Sequence, residues 1–264
     1  MTTDVARRFL NFRYIGFDLR RNLRMFSTVF FVIALPVAMF AIFGTMSDFS
    51  STELDTGRGS ITASIMVGMG AYAAITATTA LAGSAAVELQ QGWGRQLGLT
   101  PFTTAGYIIS KVVVALSYAI LAIGAVYLTG VFVGSRMDGW VWAATAGLLL
   151  VGATVFALYG LAFGLLLRSE AAVSAASGIV VILMFLGNAF VPLSGFLLDF
   201  SVFTPVWGLN RLAVYPLDGG SYFDPSTGSP VQYELWQMLV NLAVWTVVFA
   251  VLCIIGARRG TSRR

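Results

Sequence analysis

The spacing of the charged residues most constrains this chain, because it leaves six long stretches without Asp, Glu, Lys or Arg. A transmembrane helix needs about 20 apolar residues, and a charge at the bilayer centre costs about 2.5–3.5 kcal/mol. The stretches hold 23, 29, 24, 29, 28 and 23 residues, and each is long enough for one helix. They lie between Arg24 and Asp48, Arg58 and Glu88, Lys111 and Arg136, Asp138 and Arg168, Glu170 and Asp199, and Glu234 and Arg258.

Composition supports the membrane interpretation and excludes an ordinary soluble globule. Only 11% of the residues are charged and 58% are hydrophobic, whereas soluble domains carry about 25% charged residues. Backbone groups in lipid must be satisfied within the segment, so the spans are helices. We therefore predict an all-α integral membrane protein that forms one transmembrane domain over residues 1–264. The six predicted spans are 26–47, 61–86, 108–134, 140–167, 171–191 and 235–257.

The basic residues predict the orientation, since cytoplasmic loops carry an excess of Lys and Arg. An even number of spans puts both ends of the chain on one side, which then holds thirteen of the sixteen basic residues. The other side holds Arg58, Arg136 and Arg211, together with eight of the twelve acids. We expect both termini to be cytoplasmic, in the plasma membrane of a prokaryote. Anionic lipid accounts for the net charge of +4, so nucleic-acid binding is not needed.

The N-terminal segment 4–24 predicts a basic amphipathic helix in the cytoplasmic interface. Apolar residues recur at helical spacing, and arginines follow on the other flank; the apolar set is Phe9, Phe12, Ile15 or Gly16, Leu19 and Leu23. One interpretation is a simple positively charged anchor. The other is an elbow helix that also contacts a cytoplasmic partner.

Several chemistries are excluded by residues that the chain lacks. It has no His, so His-based catalysis and His metal sites are ruled out. Its single cysteine, Cys253, cannot form an internal disulfide. No predicted span carries an ionisable residue, which disfavours an ion-coupled carrier. The chain also lacks the Gly-x-x-x-x-Gly-Lys-Ser/Thr phosphate-binding loop. We expect neither an enzyme nor a cofactor, and an energy source on another protein.

Two segments outside the spans carry further patterns. Segment 87–107 is broken by glycines, and Thr100-Pro101 then predicts a helix start, with Pro at the first helical position. We expect a short helix parallel to the membrane, ending before Lys111. Segment 192–214 is apolar but too broken to span, which favours two short helical pieces that re-enter the outer leaflet. The following residues, 218–230, read as exposed turns.

The stretch from Glu88 to Lys111 resembles the cytoplasmic loop of ABC-2 type transporter permeases. Their pattern is roughly Glu-x3-Gly-x4-Leu-x2-Thr/Ser-Pro-x9-Lys, and here the matching residues are Glu88, Gly92, Leu97, Thr100, Pro101 and Lys111. The family also often has Pro-Leu near the end of span five, a broken outer segment, a Pro and then an Arg. The corresponding residues are Pro192, Leu193, Pro205 and Arg211.

The resemblance implies a half-transporter without its own energy source. Two copies, or two related permeases, would bind two separate ATP-binding subunits that carry ATP and Mg. The helix near Thr100–Tyr107, including Phe102, would be the coupling helix, with Glu88 and Arg95 as polar contacts. Segment 192–214 would form the outer gate. The implied function is export of a hydrophobic or amphipathic molecule, such as a drug, antibiotic, lipid or peptide.

Alternatives to this function stay open. Export of a lipid-linked polysaccharide is one, and a stand-alone channel or membrane scaffold is another. Small residues four apart favour close helix packing, either within the chain or at a dimer interface or path lined by spans two and five; the candidates are Gly160, Gly164, Ser174 and Gly178. Asn188 fits either a packing hydrogen bond or a substrate contact. Arg211 fits either a gate or a side chain that reaches the outer headgroups.

Overall fold

The computed structural model describes residues 12–46, 52–93, 99 and 103–261, and these are mostly helical. The helices are α1 (Phe12–Leu23), α2 (Phe26–Val29), α3 (Leu35–Met46), α4 (Ile61–Glu88), α5 (Thr104–Val133), α6 (Gly139–Leu167), α7 (Glu170–Leu186), α8 (Gly195–Ser201), α9 (Pro205–Asp218) and α10 (Leu235–Thr261). Two π-helical turns, Phe30–Ala34 and Leu89–Trp93, continue α2 and α4. Strands β1 (Ser221–Asp224) and β2 (Ser229–Gln232) form one antiparallel hairpin.

Within the described residues, five helical segments are long and apolar enough to cross a membrane: Phe26–Thr45, Ile61–Gln91, Ala105–Val133, Gly139–Leu167 and Leu235–Arg259. The segment predicted as the fifth span is the shorter helix α7, an apolar helix of 17 residues. The prediction of a mostly helical chain with several long apolar helices that could cross a membrane is therefore confirmed. The count of six spans stays a prediction.

The first apolar segment contains a proline and accommodates it with a π turn. Pro36 has no backbone N–H, and in a regular α-helix its ring meets the carbonyl of the residue four positions earlier. The π turn Phe30–Ala34 lies directly before the Leu35-Pro36 pair. It interrupts the regular hydrogen-bond ladder in the turn that Pro36 disturbs.

Helix α4 is the centre of the fold. Of the residues in its most apolar stretch, 89% are buried within the chain, against 17% for the first and last apolar segments. It packs mainly on α6 and α5, and also on α7, α3 and α9. Its side chains are mostly Ala, Gly, Ser and Thr, and small side chains allow neighbouring helices to approach on all sides. Most of its surface is therefore occupied by helices of its own chain.

The start of α5 differs from the sequence prediction. Thr103, not Thr100, caps the helix, and its hydroxyl accepts a hydrogen bond from the Gly106 N–H at 3.0 Å. Residues 104–107 are the first turn of one continuous helix that runs to Val133. The predicted separate helix over Thr100–Tyr107 is therefore wrong for its second half, and residues 100–102 lie outside the described residues.

The segment before the last helix contains the two predicted short helices, α8 and α9. Thr204 caps α9, and Pro205 occupies its first turn, where a missing N–H costs nothing. Almost every residue of α9 is buried. The hairpin that follows was not predicted, because its four-residue strands lie inside a region that reads as turns.

Contacts between helix ends define two ends of the molecule. At one end Arg21 of α1 contacts Glu88 of α4, Gln90 bonds the carbonyl of Leu165 in α6, and Leu165 packs near Gly256 of α10. At the other end the Ser60 hydroxyl accepts a hydrogen bond from the Arg136 N–H. The first described helix and the end of the last one thus lie at the same end.

Candidate functional site

Helix α1 turns a polar face toward the protein. Asp18 and Asn22 are both 5% exposed, whereas Phe12 and Phe17 are 79% and 72% exposed. The Asn22 side-chain amide donates to the Asp18 carbonyl at 2.8 Å. The sequence predicted an amphipathic helix with an apolar face, but the face that packs on the protein carries a carboxylate and an amide. Of the predicted apolar set, Phe12 and Leu23 are exposed, whereas Leu19 packs against the hydrophobic core.

The polar face of α1 contacts a cation, Lys111 of α5. Its Nζ lies 3.1 Å from Asp18 Oδ2 and 2.8 Å from Glu88 Oε2, and the side chain is only 6% exposed. The rings of Tyr14 and Tyr107 lie 5.9 and 5.5 Å from Nζ, within reach of a cation–π attraction. Lys111 therefore joins α1, α4 and α5 through one ammonium group.

Glu88, in the last turn of α4, is the second centre of the cluster. Its Oε1 accepts a hydrogen bond from the Arg21 guanidinium at 2.8 Å, and its Oε2 accepts one from the Tyr107 hydroxyl as well as from Lys111. The hydrogen bond that Arg21 donates to Glu88 raises the pKa of Arg21. We call Asp18, Arg21, Glu88, Tyr107 and Lys111 the ionic cluster.

The ionic cluster balances its charges, with two carboxylates against an ammonium and a guanidinium. Burial raises the pKa of Tyr14, whose neutral phenol packs beside Tyr107 with ring centroids 6.0 Å apart. Removing one member of a buried pair typically costs about 3–5 kcal/mol, because it leaves an uncompensated buried charge. The cluster therefore ties three helices together, and a change at any member is transmitted to the others.

The structure brings together two of the predicted coupling residues, Glu88 and Lys111, and leaves most of the others outside the described residues. Gly92 lies in the π turn Leu89–Trp93. The predicted residues outside the described part are Arg95, Leu97, Thr100, Pro101 and Phe102. Sequence reasoning missed Asp18, Arg21 and Tyr107. Asp18 had a detectable signal, since it is the lone acid of α1 among arginines.

A second polar centre lies at the opposite end of the molecule, around the predicted gate residues. Arg211 is 5% exposed and pairs with Asp218 at 2.9 Å. Its guanidinium also donates to the Ser221 carbonyl at 3.1 Å and lies over the rings of Tyr222 and Tyr233. Burial raises the pKa of Asp218, and the neighbouring Arg211 opposes that shift. Arg211 thus makes its contacts inside the protein and does not reach toward the outer headgroups.

Asn188 organises the chain between α7 and α8. Its side-chain Oδ1 accepts hydrogen bonds from the Leu193 N–H at 2.9 Å and from the Tyr222 hydroxyl at 3.2 Å. Its carbonyl accepts the side-chain amide of Asn210 at 3.2 Å, and its φ of 56° ends the helix. Pro192 is exposed beside it, and Pro205 is buried at the start of α9. These contacts favour the packing interpretation of Asn188.

The two small-residue pairs have different surroundings. A Cβ at Gly160 would lie 2.2 Å from the Thr79 carbonyl oxygen, and one at Gly164 would lie 2.4 Å from that of Gly83. These glycines therefore let α6 pack closely on α4 within the chain. This favours the first of the two interpretations of the pair, packing within the chain, over a dimer contact. A Cβ at Gly178 would meet nothing within 4 Å, and Ser174 is also exposed. The Ser174–Gly178 pair therefore lies on an exposed face of α7.

Comparison with known proteins leaves these sites without a family assignment. No protein-family model matches the chain, and no curated protein matches it either. Among the described residues, no group of three or more Cys, Asp and Glu side chains is placed to hold a metal ion. A function for this chain has to be inferred from the ionic cluster, the long apolar helices and the pattern in the loop.

Proposed function

We propose that this chain is the membrane permease subunit of an ATP-driven exporter of the ABC-2 type. Its cargo would be a hydrophobic or amphipathic molecule, such as a drug, antibiotic, lipid or peptide. A separate ATP-binding subunit would supply ATP and Mg, because the chain has no phosphate-binding loop. The observation that carries the proposal is the ionic cluster, which encloses the loop that resembles a coupling segment.

The loop between α4 and α5 is anchored on both sides by the cluster. Glu88 precedes the loop, and Tyr107 and Lys111 follow it, so the three side chains clamp its two stems together. Asp18 and Arg21 attach α1 to the same stems. A force applied to the loop by a partner would therefore reach α4, α5 and α1 together. This is the mechanical property that a coupling segment requires.

The central position of α4 gives that force a route through the molecule. Helix α4 extends 28 residues from the cluster to Ser60, and at about 1.5 Å per residue this is about 42 Å. Near its far end, Gly68 packs against the Ala189 carbonyl, next to Asn188 and the gate segment. We infer that movement of the cluster shifts α4 as a rod and so changes the contacts of the gate segment.

The open face of α7 fits a second permease copy. Ser174 and Gly178 are exposed there, and Ile182 and Phe185 on the same helix are 58% and 46% exposed. Small residues permit close approach of two helices in lipid. We propose that two copies, or two related permeases, meet at this face.

The decisive test compares Glu88→Gln with Glu53→Gln, an exposed acid at the other end of the molecule. The chain is purified with the proteins that accompany it, and ATP hydrolysis and cargo efflux from vesicles are measured. Glu88 accepts from Arg21, Tyr107 and Lys111, and loss of its charge weakens this clamp by at least one charged hydrogen bond, about 1.5–3 kcal/mol. We therefore predict at least about a tenfold fall in efflux for Glu88→Gln. Glu53→Gln should transport normally.

Two results would count against the proposal. One is purification of the chain without any ATP-binding protein under conditions that keep other membrane complexes intact. The other is full efflux by Glu88→Gln in a variant that folds and binds its partner. Glu88→Arg is a poorer probe than the neutral variant, because a third cation beside Lys111 and Arg21 would disrupt folding.

A further inference from the structure

The exposed side of α1 carries a basic stripe that the ionic cluster does not use. Arg13, Arg20 and Arg24, which directly follows α1 and whose N–H still donates to the Arg20 carbonyl at 3.2 Å, are all exposed. None of the three forms an ion pair with an acid in the described part of the chain. At about 100° per residue, as 3.6 residues per turn requires, the three side chains point within roughly 40° of one another. Arg21 points further round and is held by Glu88.

Three sectors follow one another around α1. The first faces the protein and holds Asp18 and Asn22. The second is apolar and includes Phe12 and Leu23, which are 79% and 40% exposed. The third is the basic stripe, and the exposed Phe17 lies at its far edge. A helix with an apolar sector beside an arginine sector fits the boundary between acyl chains and headgroups.

The connection to α2 fixes the depth of the stripe. Only Met25 separates Arg24 from Phe26, the first residue of an apolar segment that could cross a membrane. Consecutive Cα atoms are about 3.8 Å apart, so Arg24 lies within about 7.6 Å of Phe26. The side chain of Phe26 is 82% exposed. The stripe therefore lies at headgroup depth if Phe26 faces acyl chains.

We propose that Arg13, Arg20 and Arg24 bind the phosphate of an anionic phospholipid in the adjoining leaflet. Each guanidinium offers five N–H donors, and a row of three along one helix face matches a negatively charged surface. The exposed Phe12 and Leu23 lie beside the row and contact the acyl chains of the same lipids. This lipid site does not depend on the proposed transport function.

The occupant is lipid and not a cytoplasmic protein because the centre and the C-terminal end of α1 are both held beside the apolar helices. The ionic cluster attaches its centre to α4 and α5, and Met25 attaches its end to α2. A partner protein would have to reach the stripe along the membrane surface. Anionic headgroups are already present there at high local concentration.

The test uses the full chain in phosphatidylcholine vesicles containing spin-labelled phosphatidylglycerol or spin-labelled phosphatidylcholine. The measured quantity is the ratio of the two association constants. Each basic residue near an anionic surface contributes roughly a fivefold factor, so the wild-type ratio should exceed about five. In R13Q/R20Q/R24Q the ratio should fall close to one, and R13K/R20K/R24K should recover most of it.

Arg136→Gln is the matched control, because Arg136 is exposed at the opposite end of the molecule. It should leave the ratio unchanged, whereas Arg20→Gln alone should lower it severalfold. Raising ionic strength from about 0.1 M to about 1 M should weaken the wild-type preference, since the Debye length falls from about 10 to 3 Å.

An unchanged ratio in the triple glutamine variant overturns the proposal. If the ratio is unchanged and a co-purifying cytoplasmic protein is lost as well, the stripe binds a protein partner and not lipid. Native-like thermal unfolding of the triple variant in detergent shows that the loss of preference is not a loss of folding.

Discussion

Lys111 shows why a single residue type matters at the ionic cluster. It is the only lysine in the chain, beside fifteen arginines. An ammonium is a compact point charge with three donors, whereas a guanidinium is a planar fork. Lys111 reaches two carboxylates from different helices within 3.1 Å and has two tyrosine rings within 5.9 Å. The larger guanidinium would have to displace one of these neighbours.

At the other end of the molecule, the Arg211–Asp218 pair predicts a specific pattern of stability. Arg211→Met should lower the free energy of unfolding by about 3–5 kcal/mol, because it leaves the Asp218 carboxylate buried without its cation. The double variant R211M/D218N should recover most of this loss, since a side-chain amide in place of the carboxylate could still accept the hydrogen bond that Asp218 accepts from the Gly220 N–H. Thermal unfolding of the three proteins in detergent measures both effects.

The same pair predicts the direction of a pH effect. Burial raises the pKa of Asp218 above its unfolded value of about 3.9, so its ionisation costs stability in the folded protein. The stabilising contribution is fully present below about pH 4 and is lost as the pH rises through the folded pKa. The stability of the wild type, measured relative to that of Asp218→Asn, should therefore increase as the pH falls. A stability difference that is the same at every pH would contradict this assignment.

At the residue level, the loop motif selected two residues that lie in the ionic cluster, whereas helical periodicity did not select the buried face of α1. The loop pattern names both Glu88 and Lys111, but it did not predict the contact of 2.8 Å between their side chains. The contacts of Asp18 were not predicted, because periodicity indicated only an amphipathic helix in the interface and did not show which face packs on the protein. The cost of burying the Asp18 carboxylate is offset mainly by Lys111, which is 93 positions away in the sequence, with Arg21 Nε at 3.8 Å.

At the scale of elements, the charge-free stretches predicted most helix positions well. The predicted span 140–167 is observed as Gly139–Leu167, and 61–86 as Ile61–Glu88. The prediction failed at the start of α5 and at the hairpin. Apolar stretches report which residues avoid water, but they do not reveal that Thr103 caps the helix or that residues 221–232 pair as strands.

Packing of α6 on α4 gives a prediction about these elements. Gly160→Ala would put a Cβ 2.2 Å from the Thr79 carbonyl oxygen, which belongs to rigid helix backbone. The two helices must separate, and such overpacking costs about 1–3 kcal/mol. Gly147→Ala in the same helix meets nothing within 4 Å and should be neutral or slightly stabilising. Thermal unfolding of the two variants side by side decides the matter, and equal midpoints would show that the two helices do not depend on this close approach.

At the scale of the whole molecule, burial is uneven in a way that the sequence did not predict. Hydropathy alone treated the six stretches alike. The structure separates the enclosed helix α4 from segments that are largely open, such as Leu235–Arg259 with 17% burial. The difference arises from side-chain size, since Ala, Gly, Ser and Thr let α4 be surrounded, while long aliphatic side chains keep α10 at the surface.

This unevenness leads to a prediction about assembly. The large side chains on the outer face of α10 suit contact with lipid, whereas the Ser174–Gly178 face of α7 offers close backbone approach to another helix. Gly178→Leu should therefore leave the folding of one chain intact, because nothing lies within 4 Å of the new Cβ, and should convert a dimer into monomers. Gly147→Leu, a similarly open glycine on α6, should leave the dimer intact. Light scattering in mild detergent measures the mass of each variant, and a Gly178→Leu protein that stays dimeric would place the second copy on another face.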